Sequence, residues 1–384
     1  ATLNLYEAES EKELYGSLDQ VFTEQSNLNF TAQMIALADG ATSYNGETVN
    51  CKLNGELFDC IVDVSIAPGY EDSWAKVFVS IADVSQLKEL ERQLAIANER
   101  MSTELNFARD IQISMLPLIF PAFPDRQEVT VHAALNSARE VGGDFYDFYF
   151  LDDDHLCFVV GDVSGKGAPG ALMMAVSKTL IKSRAGDDNE PASILTHVND
   201  ELSQDNVSSM FVTVFLGILN VKTGEFVYTN AGHNPPYIRR KDGSLQKIDA
   251  FHGPVIGAMP GMPYDQDRDV LHEGDVILVY SDGVTEAFNE EDQLFSEDRL
   301  EKLLQKKSIA TDKDVVEETQ KALTAFVGNA EQSDDITLLA VQYLIQPEIK
   351  EFQELQITIK NRYEDMAIVE EQFASFAKEN ELSD

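Results

Sequence analysis

Gly161-Asp162-Val163-Ser164-Gly165 closes an apolar run over residues 156–160, and three other stretches of the chain repeat this arrangement. Each places an aspartate beside glycine or serine where an apolar run begins or ends: Val141-Gly142-Gly143-Asp144, Ser281-Asp282-Gly283 and Ser333-Asp334-Asp335. The runs have the length and composition of buried β-strands. The four stretches therefore predict strands whose ends carry carboxylates.

A carboxylate at the end of a buried strand costs free energy unless it is paired or bound to a cation. A single aspartate in such a place is usually a turn residue or a helix cap. Four of them, at Asp144, Asp162, Asp282 and Asp334, are better explained by a shared cation site. Oxygen ligands with no His or Cys nearby suit Mg²⁺ or Mn²⁺, so the sequence predicts a site for a hard cation.

Strand patterns dominate residues 125–346. We predict strands at residues 129–134, 145–150, 156–161, 211–219, 225–230, 276–280 and 337–343, and helices at 169–183, 191–203 and 315–326. Strands follow strands more often than they alternate with helices. This order favours an α+β fold of stacked antiparallel sheets flanked by helices over a doubly wound parallel sheet.

Five motifs occur in the order seen in SpoIIE-type, RsbU-like serine phosphatases, the bacterial branch of the metal-dependent protein phosphatase 2C (PP2C, or PPM) superfamily. They are Ala-Arg-Glu-Val-Gly-Gly-Asp-Phe-Tyr-Asp (138–147), Gly-Asp-Val-Ser-Gly-Lys-Gly (161–167), Asn-Ala-Gly-His-Asn-Pro-Pro (230–236), Tyr-Ser-Asp-Gly (280–283) and Asp-Asp-Ile-Thr (334–337). The segment over residues 105–117 also resembles that family. The resemblance covers residues 100–346 and implies a PP2C-like αββα sandwich.

The resemblance also implies two Mn²⁺ or Mg²⁺ ions at the edge of the sandwich. Asp162 would bridge both ions, and the Val163 carbonyl would bind one of them. The remaining ligands would be Asp144, Asp282 and Asp334, with Asp335 as a neighbour that could exchange roles with Asp334. The implied reaction is in-line attack of a metal-activated water on phosphoserine, without a phosphoenzyme. By analogy, the substrate is a phosphorylated anti-sigma-factor antagonist (STAS) protein.

Four further residues near these motifs need separate interpretation. Arg139 has the spacing of the superfamily's phosphate-binding arginine, and a guanidinium suits phosphate, although a surface ion pair is an equal alternative. Ser164 stands where eukaryotic relatives carry a histidine that could act as a general acid. Lys166 is expected to be a solvated loop lysine. His233 is expected to shape its loop rather than to act as a base.

The flanking regions suggest a longer signalling protein. Residues 1–83 resemble the later part of a PAS sensor domain, with a helix at 11–21 and strands at 49–53, 57–66 and 76–81. The first PAS strand is absent from the pattern, and the chain begins at Ala1, so we expect an N-terminally incomplete domain. Residues 117–346 are the predicted phosphatase domain. Residues 347–384 loosely resemble the truncated start of a GHKL domain, like an anti-sigma kinase.

Residues 84–116 contain no Gly or Pro and predict one long helix. A heptad pattern fits two core positions, occupied by Leu87, Leu94, Met101, Ala108 and Met115, and by Leu90, Ala97, Glu104 and Ile111. The pattern predicts a parallel coiled coil and a homodimer, with a single amphipathic helix as the alternative. We expect an input from the PAS-like region to act through this helix on Asp144 and Asp334.

Composition limits the possible partners and the compartment. The net charge of −38 disfavours nucleic acid and anionic lipid, and is best explained as a solubility adaptation, with steering of cations or basic partners as the alternative. The longest apolar stretch is too short to span a membrane, so we expect no membrane span within this chain. Three cysteines without metal-site spacing favour a reducing, cytoplasmic compartment.

Two other functions compete with the phosphatase interpretation. A catalytically degenerate regulator that only binds its partner would lack some ligands, yet every expected carboxylate is present. Gly142-Gly143-Asp144-Phe145 superficially resembles a diguanylate cyclase motif. That motif needs a second acidic residue where Phe145 stands, and it explains neither of the later aspartate motifs.

Overall fold

The computed structural model describes residues 2–345, except residues 17, 205, 207 and 208, and of Leu18 only the backbone. The chain divides into two compact units between Glu104 and Leu105. No helix of the described residues is both long enough and apolar enough to cross a membrane. The GHKL-like prediction for residues 347–384 lies outside the described residues.

The first unit consists of helices followed by an antiparallel sheet in the order β1-β2-β3. Its elements are α1 (Thr2–Leu5), α2 (Glu11–Gly16), α3 (Leu18–Val21), α4 (Glu24–Ala38), β1 (Ser43–Cys51), β2 (Leu57–Ile66) and β3 (Val77–Asp83). Asn54-Gly55 lies in the hairpin turn between β1 and β2, since Cys51 pairs with Leu57 and Gly55 has a φ of +92°. Within the helix predicted at 11–21, the described residues form α2 and α3.

Helix α4 was not predicted from the sequence. It begins with a capping box, in which the Thr23 side chain accepts a hydrogen bond from the Ser26 backbone N–H, and the Ser26 side chain accepts one from the Thr23 N–H. Serine stands where Glu or Gln is usual in this box, so the sequence pattern did not reveal the start of the helix. Leu37 and Ser26 are buried, while Leu28 and Ile35 are exposed. The helix packs on β1 and closes the first unit.

Helix α5 (Ser85–Ser114) is 30 residues long and agrees with the helix predicted at 84–116. Its predicted heptad positions are largely exposed, with Leu87, Leu90 and Leu94 each more than half accessible. At its other end Gln112 is buried. The helix is therefore present, and the coiled coil stays a prediction.

The second unit contains two five-stranded antiparallel sheets, in the orders β10-β9-β12-β13-β4 and β11-β8-β7-β6-β5. Its described elements are β4 (Val129–Asn136), β5 (Phe145–Phe150), β6 (His155–Val163), α6 (Ala168–Ala185), α7 (Pro191–Ser203), β7 (Val212–Asn220), β8 (Glu225–Ala231), β9 (Tyr237–Arg239), β10 (Leu245–Lys247), β11 (Asp267–Val270), β12 (Val276–Tyr280), α8 (Asp282–Thr285), α9 (Ser296–Leu304), α10 (Asp312–Val327) and β13 (Ile336–Tyr343). The prediction of antiparallel sheets flanked by helices is confirmed.

Alternation along the strands explains the layered core. In β12, Ile277 and Val279 join the apolar core shared by the two sheets, whereas Val276 and Leu278 pack with α9 and α10 on the other face. Helices α6 and α7 cover the second sheet, and α10 covers β4, β12 and β13. Strands buried on both faces read as continuous apolar runs rather than as alternating patterns. The result is a four-layer α-β-β-α sandwich.

Candidate metal and phosphate site

Antiparallel pairing brings the four predicted aspartates to one edge of the sandwich. In the second sheet Phe145, which follows Asp144, pairs with Gly161, which precedes Asp162. The start of β5 and the end of β6 therefore carry adjacent carboxylates. A simple hairpin therefore brings these residues, which are separated in sequence, to the same end of the sheet.

The other two aspartates come from the first sheet. Tyr280 at the end of β12 pairs with Leu338 near the start of β13, so Asp282 and Asp334 lie at the same end of this sheet. Thr337 joins the two sheets here, because its Oγ1 donates a hydrogen bond of 2.6 Å to Asp144 Oδ2. The site is thus built from both layers.

The carboxylates repel one another in this arrangement. Burial, followed by repulsion from Asp162, raises the pKa of Asp144 well above its usual value. Burial and repulsion from Asp282 raise the pKa of Asp162 to about 7. Burial and the charges of Glu286 and Asp334 also raise the pKa of Asp282. A shared cation would relieve this repulsion.

Asp334 and Asp335, which the sequence could not separate, have different surroundings. The Asp335 carboxylate is buried and accepts backbone N–H groups from Ala138 at 2.8 Å and from Gly143 at 2.7 Å. Asp334 is partly exposed, and its Oδ2 accepts a hydrogen bond of 2.9 Å from Lys166 Nζ. Asp335 therefore organises the loop over residues 138–144, and Asp334 faces the open side of the site.

Two glycines are required for this close packing. A Cβ on Gly283 would lie 2.0 Å from the Asp335 carbonyl oxygen, and one on Gly142 would lie 2.1 Å from the Asp335 carboxylate. Real Cβ atoms do not approach so closely. Any larger residue at either position would displace Asp335 and, with it, the loop that carries Asp144.

Gln112 is a site residue that the sequence analysis missed. Its Nε2 donates to the Gly142 carbonyl at 2.7 Å, and its Oε1 accepts from the Gly142 N–H at 3.2 Å. The end of α5 is therefore attached to the loop before Asp144 by two buried hydrogen bonds. The only available signal was the position of Gln112 within the segment over residues 105–117 that resembles the family.

The two basic residues of the site, Lys166 and Arg139, differ in their hydrogen bonds and ion pairs. Lys166 is an exposed loop lysine, as expected, and its Nζ also bonds Asp334 and donates to the Ser333 carbonyl at 2.6 Å. Arg139 is exposed, and its side chain forms no ion pair with any described residue. Its loop position follows Ala138, whose N–H binds Asp335. Arg139 is therefore placed beside the site with its guanidinium uncommitted.

Ser164 and His233 have structural surroundings. The Ser164 Oγ accepts the Phe211 N–H at 2.8 Å and ties two loops together. His233 is buried, its Nδ1 lies 2.9 Å from Thr213 Oγ1, and its backbone is held by the Asn230 side chain. Burial lowers the pKa of His233 to about 4, so the ring is neutral near pH 7. These contacts agree with the predicted loop-shaping role of His233.

The donor chemistry of the site fits a hard divalent cation. The candidate ligands at the site are carboxylates and the Val163 carbonyl, which are oxygen ligands of the kind that Mg²⁺ and Mn²⁺ prefer. As the side chains stand, no group of three or more His, Cys, Asp or Glu residues within the described ranges is arranged to hold a metal ion. The oxygens are therefore assembled at one edge but not closed into a preformed coordination shell.

A family comparison identifies the second unit. The sequence model of Stage II sporulation protein E (SpoIIE) matches residues 152–344, which is half of the chain. The chain belongs to the SpoIIE family. The matched SpoIIE region includes Asp162, Asp282, Asp334 and Asp335, while Asp144 lies just before it.

Individual proteins and structures support this assignment. Protein IcfG of Synechocystis sp. is 29% identical over 265 residues, which cover 62% of this chain and 41% of IcfG. Phosphoserine phosphatase RsbU of Bacillus subtilis is 29% identical over 245 residues, which cover 64% of this chain and 71% of RsbU. The SiaA-PP2C domain of Pseudomonas aeruginosa superposes with a TM-score of 0.57 at 22% identity, covering 65% of this chain and 99% of that domain.

These comparisons define how far the likeness extends. The SiaA domain shows that the second unit has the PP2C fold. The chain spans less than half the length of IcfG, so the relatives describe the SpoIIE-type part of the chain. The predicted family is confirmed, and the ligand roles of individual residues stay predictions.

Proposed function

We propose that this SpoIIE-family chain is a divalent-cation-dependent protein phosphatase that hydrolyses phosphoserine or phosphothreonine on a regulatory protein. The observation that carries the proposal is the convergence of Asp144, Asp162, Asp282 and Asp334 from both sheets at one edge of a PP2C-like sandwich. Their mutual repulsion supports a site that functions with bound cations.

Each residue has a proposed role. Two Mn²⁺ or Mg²⁺ ions would be held by the four aspartates and the Val163 carbonyl, while Asp335 positions the loop that carries Asp144. When bound, such ions supply a water acidic enough to attack near pH 7 and positive charge against the phosphoryl oxygens. The exposed guanidinium of Arg139 is suited to binding the phosphate of the substrate in two-point fashion.

Protonation of the leaving serine oxygen is assigned to solvent. Ser164 carries a hydroxyl, which is a very weak acid, and its Oγ holds the Phe211 N–H; His233 is buried with a depressed pKa. Lys166 is engaged by Asp334 and the Ser333 carbonyl. The side chains nearest the motif are therefore committed to holding the site together, and water from the open side is the available proton donor.

The proposed substrate class rests on the resemblance to RsbU-like phosphatases rather than on the site. RsbU is named as a phosphoserine phosphatase, and it aligns with this chain over 245 residues, which are 64% of the chain. We infer that the substrate is a phosphorylated anti-sigma-factor antagonist of the STAS type.

The test of the function is phosphate release from a phosphoserine peptide by the full chain, with Mn²⁺ and then with excess EDTA. We expect turnover with Mn²⁺ and its loss after chelation, with GTP turnover measured alongside. Absence of phosphate release at saturating Mn²⁺, from a sample that is folded by circular dichroism, would favour the binding-only regulator. Turnover of GTP alone would favour the cyclase alternative.

Regulation is proposed to pass through the end of α5. Replacing Gln112 by alanine removes two hydrogen bonds from the buried Gly142 N–H and carbonyl, at a cost of about 2 kcal/mol in local stability. We expect Gln112→Ala to lower the phosphatase rate and to weaken Mn²⁺ binding while leaving overall folding intact. The measurement is the Mn²⁺ dependence of phosphate release, compared with Gln93→Ala on the exposed part of the same helix. Equal rates and Mn²⁺ affinities in both variants would remove Gln112 from the mechanism.

The exposed stripe of Leu87, Leu90 and Leu94 is proposed to pair with the same stripe of a second copy as a coiled coil. Residues 1–83 are proposed to act as a PAS-like sensor that supplies the input to this helix. Each of these leucines is more than half accessible, which leaves an apolar face of α5 available for a partner helix. Sedimentation of Leu90→Glu beside the unaltered chain tests this pairing. A dimer that persists unchanged in the variant rejects the stripe as the contact.

A further inference from the structure

A cavity of about 840 Å³ lies in the first unit, between the sheet and the helices that cover it. Its floor is one face of the sheet, formed by Thr48 and Asn50 from β1 and by valines and an isoleucine from β2 and β3. Its roof includes Phe30 and Gln33 from α4. The volume is within the range of about 300–1,000 Å³ that is typical of small-molecule sites.

Two polar atoms in the floor have no partner. Thr48 and Asn50 are 4% and 2% exposed, and both Thr48 Oγ1 and Asn50 Oδ1 are buried without a hydrogen bond. The amide of Asn50 donates to the Tyr6 hydroxyl through Nδ2, which uses only one side of the amide. Buried polar atoms are normally hydrogen-bonded, and leaving each one unpaired costs about 1–3 kcal/mol. The pair therefore marks a position where a ligand group can bind.

Most of the remaining wall is apolar and part of it is open, although Ser26, Asn29 and Gln33 also line the cavity. Val62 and Val64 are buried in the floor, whereas Val79, Phe30 and Trp74 line the same cavity and are at least one-third exposed. Apolar side chains that face a cavity with unsatisfied polar atoms at one end are suited to a ligand with an apolar body and a polar end. A purely apolar occupant would leave Thr48 and Asn50 unpaired.

Charge restricts the ligand further. Among the described lining residues there is no Lys, Arg or His, and Glu11 alone carries a charge. An anionic ligand would thus be desolvated without a counter-charge, which is strongly unfavourable. A phosphate-bearing cofactor is disfavoured for the same reason.

We propose that this cavity binds a neutral, mainly apolar small molecule whose single hydroxyl or amide group hydrogen-bonds to Asn50 Oδ1 and Thr48 Oγ1. The site is independent of the phosphatase site, and its test requires no catalysis. Since β3 in its wall runs directly into α5, occupancy would act on the segment that leads towards the second unit.

The test compares three matched probes on the full chain by ligand-observed NMR titration: 2-naphthol, naphthalene and naphthalene-2-sulfonate. We expect 2-naphthol to bind about tenfold more tightly than naphthalene, the ratio that corresponds to about one additional hydrogen bond. The sulfonate, which has the same ring system but a negative charge, should show no saturable binding. Equal affinity for all three probes would overturn the proposal.

Two variants separate the polar end from the apolar wall. Thr48→Val, which keeps the shape of the side chain, should reduce the preference for 2-naphthol over naphthalene without lowering the unfolding temperature, because it removes an unpaired buried hydroxyl. Its control is Thr31→Val, an exposed helical position whose hydroxyl bonds the Asn27 carbonyl. A preference that is unchanged in Thr48→Val contradicts the assigned hydrogen bond.

Val79→Trp should fill the open side of the cavity and abolish binding of 2-naphthol and naphthalene alike. Phe78→Trp is the matched control, since Phe78 is the adjacent residue of the same strand, does not line the cavity and is also exposed. Retained binding in Val79→Trp excludes the cavity as the site. Self-association that is lost in Val79→Trp but kept in Phe78→Trp would show that a second copy covers this face, and would also overturn the proposal.

Discussion

Replacement of Asp162 by asparagine is expected to lower Mn²⁺-dependent phosphate release by about 10³-fold or more. Asp162 carries the proposed bridging role, and its carboxylate interacts electrostatically with Asp282, Asp334 and Asp335. Asparagine has nearly the same shape but removes the negative charge that both ions would share. Losses of this size are typical when a group that stabilises the transition state electrostatically is removed. The measurement is the rate of phosphate release from a phosphoserine peptide at saturating Mn²⁺.

Metal binding to this variant gives a second readout that does not depend on turnover. In EDTA, Asp162→Asn should unfold at a higher temperature than the unaltered chain, because burial and like charges raise the pKa of Asp162 to about 7 and disfavour its ionised form. Mn²⁺ at a hundredfold excess over its Kd should stabilise the unaltered chain by about 2.7 kcal/mol and the variant by much less. Asp187→Asn, at an exposed position on the same unit, is the control. Equal Mn²⁺ stabilisation of all three proteins contradicts the assigned site.

Replacement of Asp335 by alanine is expected to destabilise the second unit by about 2–4 kcal/mol, because it removes a buried acceptor from the buried N–H of Gly143 and the partly buried N–H of Ala138. The loop over residues 138–144 would lose its main anchor, and phosphatase activity would fall with stability. Urea unfolding, followed by the circular dichroism of the backbone, measures the change in the free energy of unfolding.

Asp334→Ala is the matched control for this prediction. Asp334 is partly exposed, and its ion pair with Lys166 is accessible on both sides, so its loss should cost about 1 kcal/mol or less. Activity should nevertheless fall strongly, because Asp334 is the proposed ligand. Similar destabilisation by the two variants, or a folded and active Asp335→Ala protein, would reverse the roles assigned to these neighbours.

The sequence predicted the main strands well, because most of them, such as β7 and β12, are long apolar runs. Strands β5 and β12 have the bounds that were predicted, and helix α7 does as well. The short strands β9, β10 and β11 were missed, since three or four residues carry too little periodicity to be recognised. Their positions depend on pairing with longer neighbours, which is tertiary information.

The residues of the site could be predicted from the sequence, but the individual role of each residue could not. Adjacent aspartates such as Asp334 and Asp335 have the same local pattern, and only the fold shows which one meets the N–H groups of Ala138 and Gly143. The pairing of Gln112 with Gly142 spans 30 residues of sequence and has no local signature. The bond from Lys166 to Asp334 has no local signature either, because the two residues are 168 positions apart in the sequence.

The hydrogen bond from Thr337 to Asp144 crosses from one β-layer to the other, and the four aspartates are divided equally between those layers. The spacing of the carboxylates therefore depends on the distance between the two sheets and on how the sheets are aligned. Both are set by the apolar core between them. A truncation such as Val341→Ala, far along β13 from the aspartates, would allow the layers to shift by fractions of an ångström. The affinity for the ions would therefore decrease when the core packing loosens, and it would do so well before the second unit unfolds.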